Sequence, residues 1–320
     1  MKHIFAFLIA MTVLAASAHL NAAEKVRVSV TNPNMSFLPA GVALKRGFFK
    51  DEGLDVEIIR MNTPNTVTAL VTGDLGYTLL FGSVVRAALR GMPIRALASL
   101  LDSPTHAIVA KPEYKSVKEL KGKTVAIGNY GGTDDVAGRL MFKHFGLDPD
   151  KDLKLIAFGP DRARLAAVKE NLADVAVVAP PGDAMGKQMG FAILARAYDI
   201  FNFPFIGIGA NLKTIKDRPV EAKKFVKALL RANRFIRENK QGAVDVLVDW
   251  GKVDREQALA SYDSTVKVFN AGGNIPQEGL KLVIDQAKAE LKLTKDVPLA
   301  EIVDLAPLRE AQKELGIKAQ

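Results

Sequence analysis

SVKELKGKTVAIGNYGGTDDVAGRLMFKHFGLDPDKD, residues 116–152, sets the architecture of the whole chain. Within it, residues 123–128 read as a short buried strand. Asn129-Tyr130-Gly131-Gly132-Thr133 is a glycine-rich turn, and residues 135–145 carry helical periodicity through Val136, Leu140, Met141 and Phe145. A strand that feeds a helix through glycines leaves backbone N–H groups free at the helix start, where the aligned peptide dipoles favour a small anion. Gly131 and Gly132 permit close approach to the backbone, and Thr133 adds a hydroxyl. The same turn also serves α/β proteins as a bare connection. Asp134 and Asp135 suit the positive end of a helix but repel an anion unless they turn away.

Working outward, the same unit recurs. On the N-terminal side, strands are expected at residues 26–30, 53–59, 74–80 and 94–100, with helices at 38–49, 65–72 and from 81 to 91. On the C-terminal side, strands at 154–158, 174–178, 191–195 and 205–209 alternate with a helix at 164–172, and from Pro219 onward the chain reads as helices. Strands alternating with helices imply mostly parallel sheets covered on both faces. Ligands of open α/β sheets sit outside the carboxyl ends of the strands, and pockets favour junctions between units. Two such runs facing each other predict a cleft lined by Asn34, Ser36, Phe81, Gly82, Ser83, Gly131, Gly132, Thr133 and Pro180.

A length of 320 residues suits about two domains, and 48% apolar with 25% charged residues is ordinary for a globular protein. Lys2, an uncharged apolar run over residues 4–16 and the small residues Ala16-Ser17-Ala18 form an export signal, with Ala22 or Ala23 as alternative cleavage points. The run is too short to span a bilayer comfortably. The expected mature protein is therefore exported, soluble and periplasmic. With no cysteine in the chain there are no disulfides, thiolate metal sites or cysteine nucleophiles, and no acceptor for a lipid anchor. The formal charge of +9 raises the question of nucleic acid. The densest basic cluster has Lys223, Lys227, Arg231 and Arg234 at helical spacing opposite the apolar Ala222, Phe225, Val226, Leu229 and Ile236. That pattern reads as a solvated helix face, so no nucleic-acid partner is expected. A mild positive field would still help to draw in an anionic solute.

The phrases Gly47-Phe48-Phe49-Lys50-Asp51-Glu52-Gly53-Leu54-Asp55-Val56, Ser116-Val117-Lys118-Glu119-Leu120-Lys121-Gly122-Lys123 and Gly146-Leu147-Asp148-Pro149 carry a resemblance. The chain resembles periplasmic solute-binding proteins of ABC importers, of the nitrate/sulfonate/taurine type related to thiamine-precursor binding proteins. The resemblance covers essentially the whole mature chain. It implies a two-lobed type II periplasmic binding protein fold, with residues 24–109 plus 206–320 in the first lobe, 110–205 in the second and a ligand cleft between them. Carried onto this chain, the binding loops become Asn34 to Phe37, Gly82-Ser83, Tyr130 to Thr133 and the Pro180 region, which adds Phe37 and Tyr130 to the expected site. The implied partners are a small anionic ligand, carboxylate or sulfonate, and the permease and ATPase of an importer, served by a monomer without cofactor or metal.

Catalytic patterns are thin. His106 and His144 lie far apart in sequence and read as structural. Residues 182–188 resemble a phosphate loop but are one residue short and lack Ser or Thr after Lys187. Asp148, Asp150 and Asp152 lack the geometry of a calcium loop and read as turn carboxylates. The fold's enzyme relatives, which build the thiamine pyrimidine, would require a cysteine-bearing iron motif, so no catalytic activity is expected. A ligand sensor for a membrane receptor remains the other reading of the same cleft. Arg162 and Arg164, at a turn and an early helix, are expected at the surface, and the sequence singles out no arginine that must face the cleft.

Overall fold

The structure, a computed structural model, describes residues 25–318. The expected export signal over residues 1–23 lies outside them. The strands in chain order are β1 (Val26–Val30), β2 (Val56–Arg60), β3 (Tyr77–Thr78), β4 (Ile94–Leu101), β5 (Ala107–Ala110), β6 (Thr124–Ile127), β7 (Lys154–Ala157), β8 (Val175–Val178), β9 (Ala192–Arg196) and β10 (Ile206–Asn211). They form two five-stranded sheets, ordered β2-β1-β3-β10-β4 and β7-β6-β8-β5-β9. Helices α1 (Leu38–Lys45), α2 (Phe48–Asp51), α3 (Thr63–Thr72) and α4 (Phe81–Leu89) link the strands of the first sheet, and α5 (Thr133–His144), α6 (Asp161–Lys169) and α7 (Gly182–Gln188) those of the second. After β10 come α8 (Leu212–Asp217), α9 (Pro219–Glu238), α10 (Lys240–Gly251), α11 (Arg255–Thr265), α12 (Gln277–Leu291) and α13 (Ala306–Glu314).

Each sheet is mixed by one strand. β1 pairs in parallel with β2 and β3, while β10 runs against β3 and β4. In the second sheet β6 is parallel to β7 and β8, while β5 runs against β8 and β9. The cause lies in the crossings. The chain leaves the first sheet at the carboxyl end of β4 and the second at the carboxyl end of β9, on the side where the parallel strands end. A strand arriving from that side must run back along its neighbours. The expected boundary at residues 109/110 falls inside β5, all of which pairs in the second sheet.

The second sheet shows why its strands read as unbroken apolar runs. Ile108, Val125, Ile127, Val175 and Val177 pack on one face with Met141 and Phe142 of α5, while Ala107, Val109, Ala126, Ala176 and Val178 pack on the other with Leu165 and Val168 of α6. Side chains alternate, but both sides are covered. Residues 182–188 form α7, not a phosphate loop. A Cβ at Gly186 would stand 2.7 Å from Val109 Cγ1, and one at Gly182 would stand 2.9 Å from Val178 Cβ. These glycines are small because the helix lies close against the sheet.

Helix α9 buries Ala222, Phe225, Val226, Leu229 and Ile236, as its spacing predicts. Its basic side differs from the expected solvated face. Lys223 and Lys227 both reach Glu314 on α13, at 2.6 and 2.7 Å, and Lys227 and Arg231 hold Glu52, at 3.2 and 3.3 Å. The densest run of positive charge is thus paired within the fold.

Candidate functional site

The carboxyl ends of both sheets and the two crossings converge on one region. A narrow cleft, open to solvent at its outer end, is lined by Leu80, Gly82, Ser83 and Arg86 from the first sheet's side. Thr133 and Val136 come from the start of α5, and Phe203, Pro204 and Phe205 from the second crossing. Val283, Gln286, Ala287 and Glu290 close it from α12. Their i, i+3, i+4, i+7 spacing presents one stripe of that helix to the space. The lining is mostly apolar, with Arg86 and Glu290 at its outer end.

Arg86 ties the two halves together. Its guanidinium donates to Ser83 Oγ at 3.0 Å and to the carbonyl of Gly131, across the cleft, at 3.4 Å. Glu290 Oε2 stands 3.9 Å from another of its nitrogens. Burial pushes this guanidinium below its ordinary pKa, and Glu290 opposes that shift. Arg86 is thus a cleft arginine that the sequence did not single out. Arg86 follows Ser83 by one helical turn, which puts both on the same side of α4.

A second set of contacts joins the halves beside another cavity, lined by Asn34, Arg60, Asp161, Arg162, Gly182 and Met185 among others. Met35 donates its N–H to the carbonyl of Pro180 at 3.0 Å. Asn34 Nδ2 donates to Asp161 Oδ2 at 3.3 Å, and Asn34 Oδ1 accepts from the N–H of Ser36 at 3.1 Å. Gln257 on α11 donates to Gln188 at the end of α7 at 2.6 Å.

Behind this seam lies a buried ionic cluster. Arg164 is 1% exposed, which corrects its expected surface position. It donates to Asp161 Oδ1 and to the carbonyl of Val177, each at 2.5 Å, and pairs with Asp134 Oδ2 at 3.0 Å. Asp161 sits three residues before it on α6, a spacing that hints at the pair in sequence. Asp134 also accepts the N–H of Gly128. Burial raises the Asp134 pKa, against the pull of Arg164 and of that N–H. Arg162 is exposed and donates to the carbonyl of Lys252.

The glycine-rich turn is thereby partly filled from within. Asp135 Oδ2 accepts the Gly131 N–H at 2.8 Å and is held by Arg139 at 2.7 Å. The two carboxylates that opposed an anion are folded into the turn, where they take two of its backbone donors. Little of the expected anion seat stays open; of the cationic side chains that border the space between the halves, Arg60 and Arg162 line the second cavity and Arg86 lines the first.

The expected site residues divide by these constraints. Gly82, Ser83 and Thr133 line the main cavity, Asn34 lines the second, and Tyr130 and Gly131 stand at an outer mouth shared with Arg86 and Glu290. Tyr130 is exposed and bonds the carbonyl of Leu155 at 2.9 Å. Ser36 is buried and shares a 2.6 Å hydroxyl contact with Thr105 on the first crossing. Phe37 and Phe81 are packed in the core of the first sheet. Gly132 is buried beneath the turn, and Pro180 is buried with its carbonyl engaged by Met35. These five line neither of the two cavities. Leu80, Arg86, Val136, Pro204, Phe205 and the stripe on α12 are wall residues that sequence reasoning missed.

His106, on the first crossing, is buried with its ring edge-to-face against Phe205 at 5.6 Å between centroids. Burial lowers its pKa to about 3, so the imidazole is neutral. His144 is exposed at the end of α5. Asp148 accepts the Asp150 N–H at 3.0 Å and Asp152 that of Asp148 at 2.9 Å, which makes them turn carboxylates.

The chain is similar to several known proteins. YtlA of Bacillus subtilis (strain 168) is 26% identical over 235 residues, covering 71% of this chain and 70% of its own. The 4-amino-5-hydroxymethyl-2-methylpyrimidine phosphate synthase of Candida albicans (strain WO-1) is 28% identical over 220 residues, 62% of this chain and 63% of that one. Riboflavin-binding protein RibY of Chloroflexus aurantiacus is 27% identical over 225 residues, 67% of this chain and 62% of that one. The match thus spans somewhat under two thirds of the latter two proteins.

Among solved structures, a protein of Bordetella bronchiseptica RB50 superposes with a TM-score of 0.79 at 22% identity, over 91% of this chain and 98% of that one. The ligand binding component of an ABC-type import system from Staphylococcus aureus gives 0.73 at 15% identity, over 89% and 98%. The alkanesulfonate-binding protein SsuA of Xanthomonas axonopodis pv. citri, bound to MOPS, gives 0.74 at 15% identity, over 88% and 98%. The fold is that of the periplasmic binding proteins. Residues 34–243 match the pattern of the family described as NMT1/THI5 like, and the chain belongs to that family.

Proposed function

We propose that this protein is the solute-binding component of an ABC importer, capturing a small organic anion between two lobes and presenting it to a membrane permease with its ATPase. The proposed lobes follow the expected division with all of β5 moved to the second: residues 24–106 with 206–320, and 107–205. The observation that carries the reading is the cavity walled by the ends of both sheets, the second crossing and α12. A ligand held there touches both halves at once, so its binding energy favours the closed arrangement. Gly82, Ser83, Thr133, Tyr130 and Gly131 are the proposed contacts, Asn34 stands at the seam beside the second cavity, and Ser36, Phe37, Phe81, Gly132 and Pro180 support them from behind.

The protein acts, in this reading, as an exported monomer without cofactor. Among the described residues no helix is long and apolar enough to cross a membrane. The family also contains pyrimidine synthases, but a chain without cysteine offers no thiolate for metal or nucleophilic chemistry. Its buried Arg164 is spent on Asp134 and Asp161 and does not face a substrate.

A thermal-shift panel of nitrate, alkyl and aryl sulfonates, carboxylates, flavins and pyrimidines tests the reading. A ligand at a hundred times its Kd adds about 2.7 kcal/mol, a rise of several degrees for lobes of this size. A rise confined to anions supports the proposal. A rise with pyrimidines or flavins alone replaces the ligand class, and turnover of any panel member replaces the binding role.

A further inference from the structure

We infer that Arg86 is the residue that recognises the ligand's acidic group, and that Glu290 is an internal counter-ion which this group displaces. The inference rests on the anion-binding reading above and names the residues that would set its selectivity.

The argument begins with where negative charge can be held. At the inner end of the seam Arg164 is already matched by two carboxylates, Asp134 and Asp161, and is 1% exposed. In the glycine-rich turn Asp134 and Asp135 occupy the N–H groups of Gly128 and Gly131. An incoming anion meets acidic oxygens at both places. Arg86 is different. It borders both the main cavity and its outer mouth. Its side chain is 20% exposed, so it is largely removed from water while still in contact with the ligand space.

Its partners leave capacity unspent. A guanidinium carries five N–H donors in a planar fork. Here it makes one hydrogen bond to Ser83 Oγ and a longer one to the Gly131 carbonyl, with Glu290 at 3.9 Å, beyond hydrogen-bond reach. A carboxylate or sulfonate can take a bidentate seat on such a fork. Glu290 is half exposed and sits on the last turn of α12, free to swing into water when replaced. Behind Arg86 the lining is Leu80, Val136, Phe203, Phe205, Val283 and Ala287. The ligand class that fits is an acid on an apolar body, head outward on Arg86 and tail toward the crossing.

The test measures binding of phenylacetate, butanesulfonate and the neutral phenylacetamide by calorimetry to the mature protein, Arg86→Gln and Glu290→Gln. Expected is a preference of the native protein for the acids over the amide. Arg86→Gln should weaken the acids by about tenfold or more and the amide by less than about twofold. Glu290→Gln should tighten the acids by roughly twofold to tenfold and leave the amide unchanged, an effect that a purely structural Arg86 would not give. Acids that bind the native protein and Arg86→Gln equally would overturn the inference while leaving the solute-binding reading intact. Equal affinity of native protein for acid and amide, or acid affinity unmoved by Glu290→Gln, overturns it as well. Failure of both acids to bind overturns this inference and the anion reading together.

Discussion

Asn34 and Asp161 face each other across the cleft, with Nδ2 3.3 Å from Oδ2. One residue follows the first strand of the first sheet and the other opens a helix of the second, so their contact exists only when the halves are together. Asn34 is also fixed on its own side, because its Oδ1 takes the Ser36 N–H. Asn34→Asp keeps that acceptor and replaces the donor with a second carboxylate. The closed arrangement should lose about 2 kcal/mol or more, seen as a larger radius of gyration in solution scattering and ligand affinity weaker by at least about tenfold. An unchanged radius and affinity would show that the contact does not hold the halves together.

Arg164 is committed to three acceptors inside the second half. Arg164→Met strands Asp134 and Asp161 without a cation and should cost roughly 3–5 kcal/mol in chemical denaturation. Arg164→Lys should recover only part of this, since an ammonium cannot reproduce the fork. Full recovery by lysine would mean that charge alone, not geometry, is needed there.

His106 gives stability a defined pH dependence. Its folded pKa, about 3, lies below the ordinary 6.5, so the unfolded chain takes up a proton first. The group's contribution is whole above about pH 6.5 and is lost as pH falls from there toward 3. The loss proceeds at about 1.4 kcal/mol per pH unit while the two states differ by one proton. His106→Phe keeps an aromatic ring against Phe205 and removes the proton site. The difference between native and variant stability curves should therefore be flat above pH 6.5 and slope below it. Parallel curves throughout the acid range would refute the buried neutral imidazole.

Gly279, in the first turn of α12, lies against the second crossing. A Cβ there would stand 2.6 Å from Pro204 Cδ and 3.3 Å from Phe203 Cα. Gly279→Val should lift α12 from the crossing at a cost of about 1–3 kcal/mol and loosen the cavity wall formed by Val283 and Ala287. Weaker ligand binding with the arginine-dependent preference for acids retained is the expected result. Native affinity in this variant would remove α12 from the wall.

The succession of strands and helices along the chain follows from local pattern, because apolar runs and glycine turns report strand and helix starts directly; their order within each sheet does not. What the pattern omits is the partner of each face. Val283, Gln286, Ala287 and Glu290 show as one side of a helix, yet nothing in their spacing says that this side meets a cavity. Arg164 was misplaced for a related reason. Arginine favours surfaces on average, and its burial here depends on Asp134, thirty residues earlier in the chain. Ser36 and Pro180 read as ligand contacts because they are polar or terminal in loops. The crossing and the seam between the halves use their hydrogen-bonding groups instead.

Strand β10 lies between β3 and β4, so the first sheet has an unfilled slot until the chain has returned from the second. Every strand of the second sheet comes from residues 107–196 without interruption. The half made later can therefore complete its pairing first, while the half made earlier waits with two open strand edges. Those edges are the segments most exposed to mispairing before residues 206–211 arrive. The topology thus lets the sheet synthesised second complete its pairing before the sheet synthesised first.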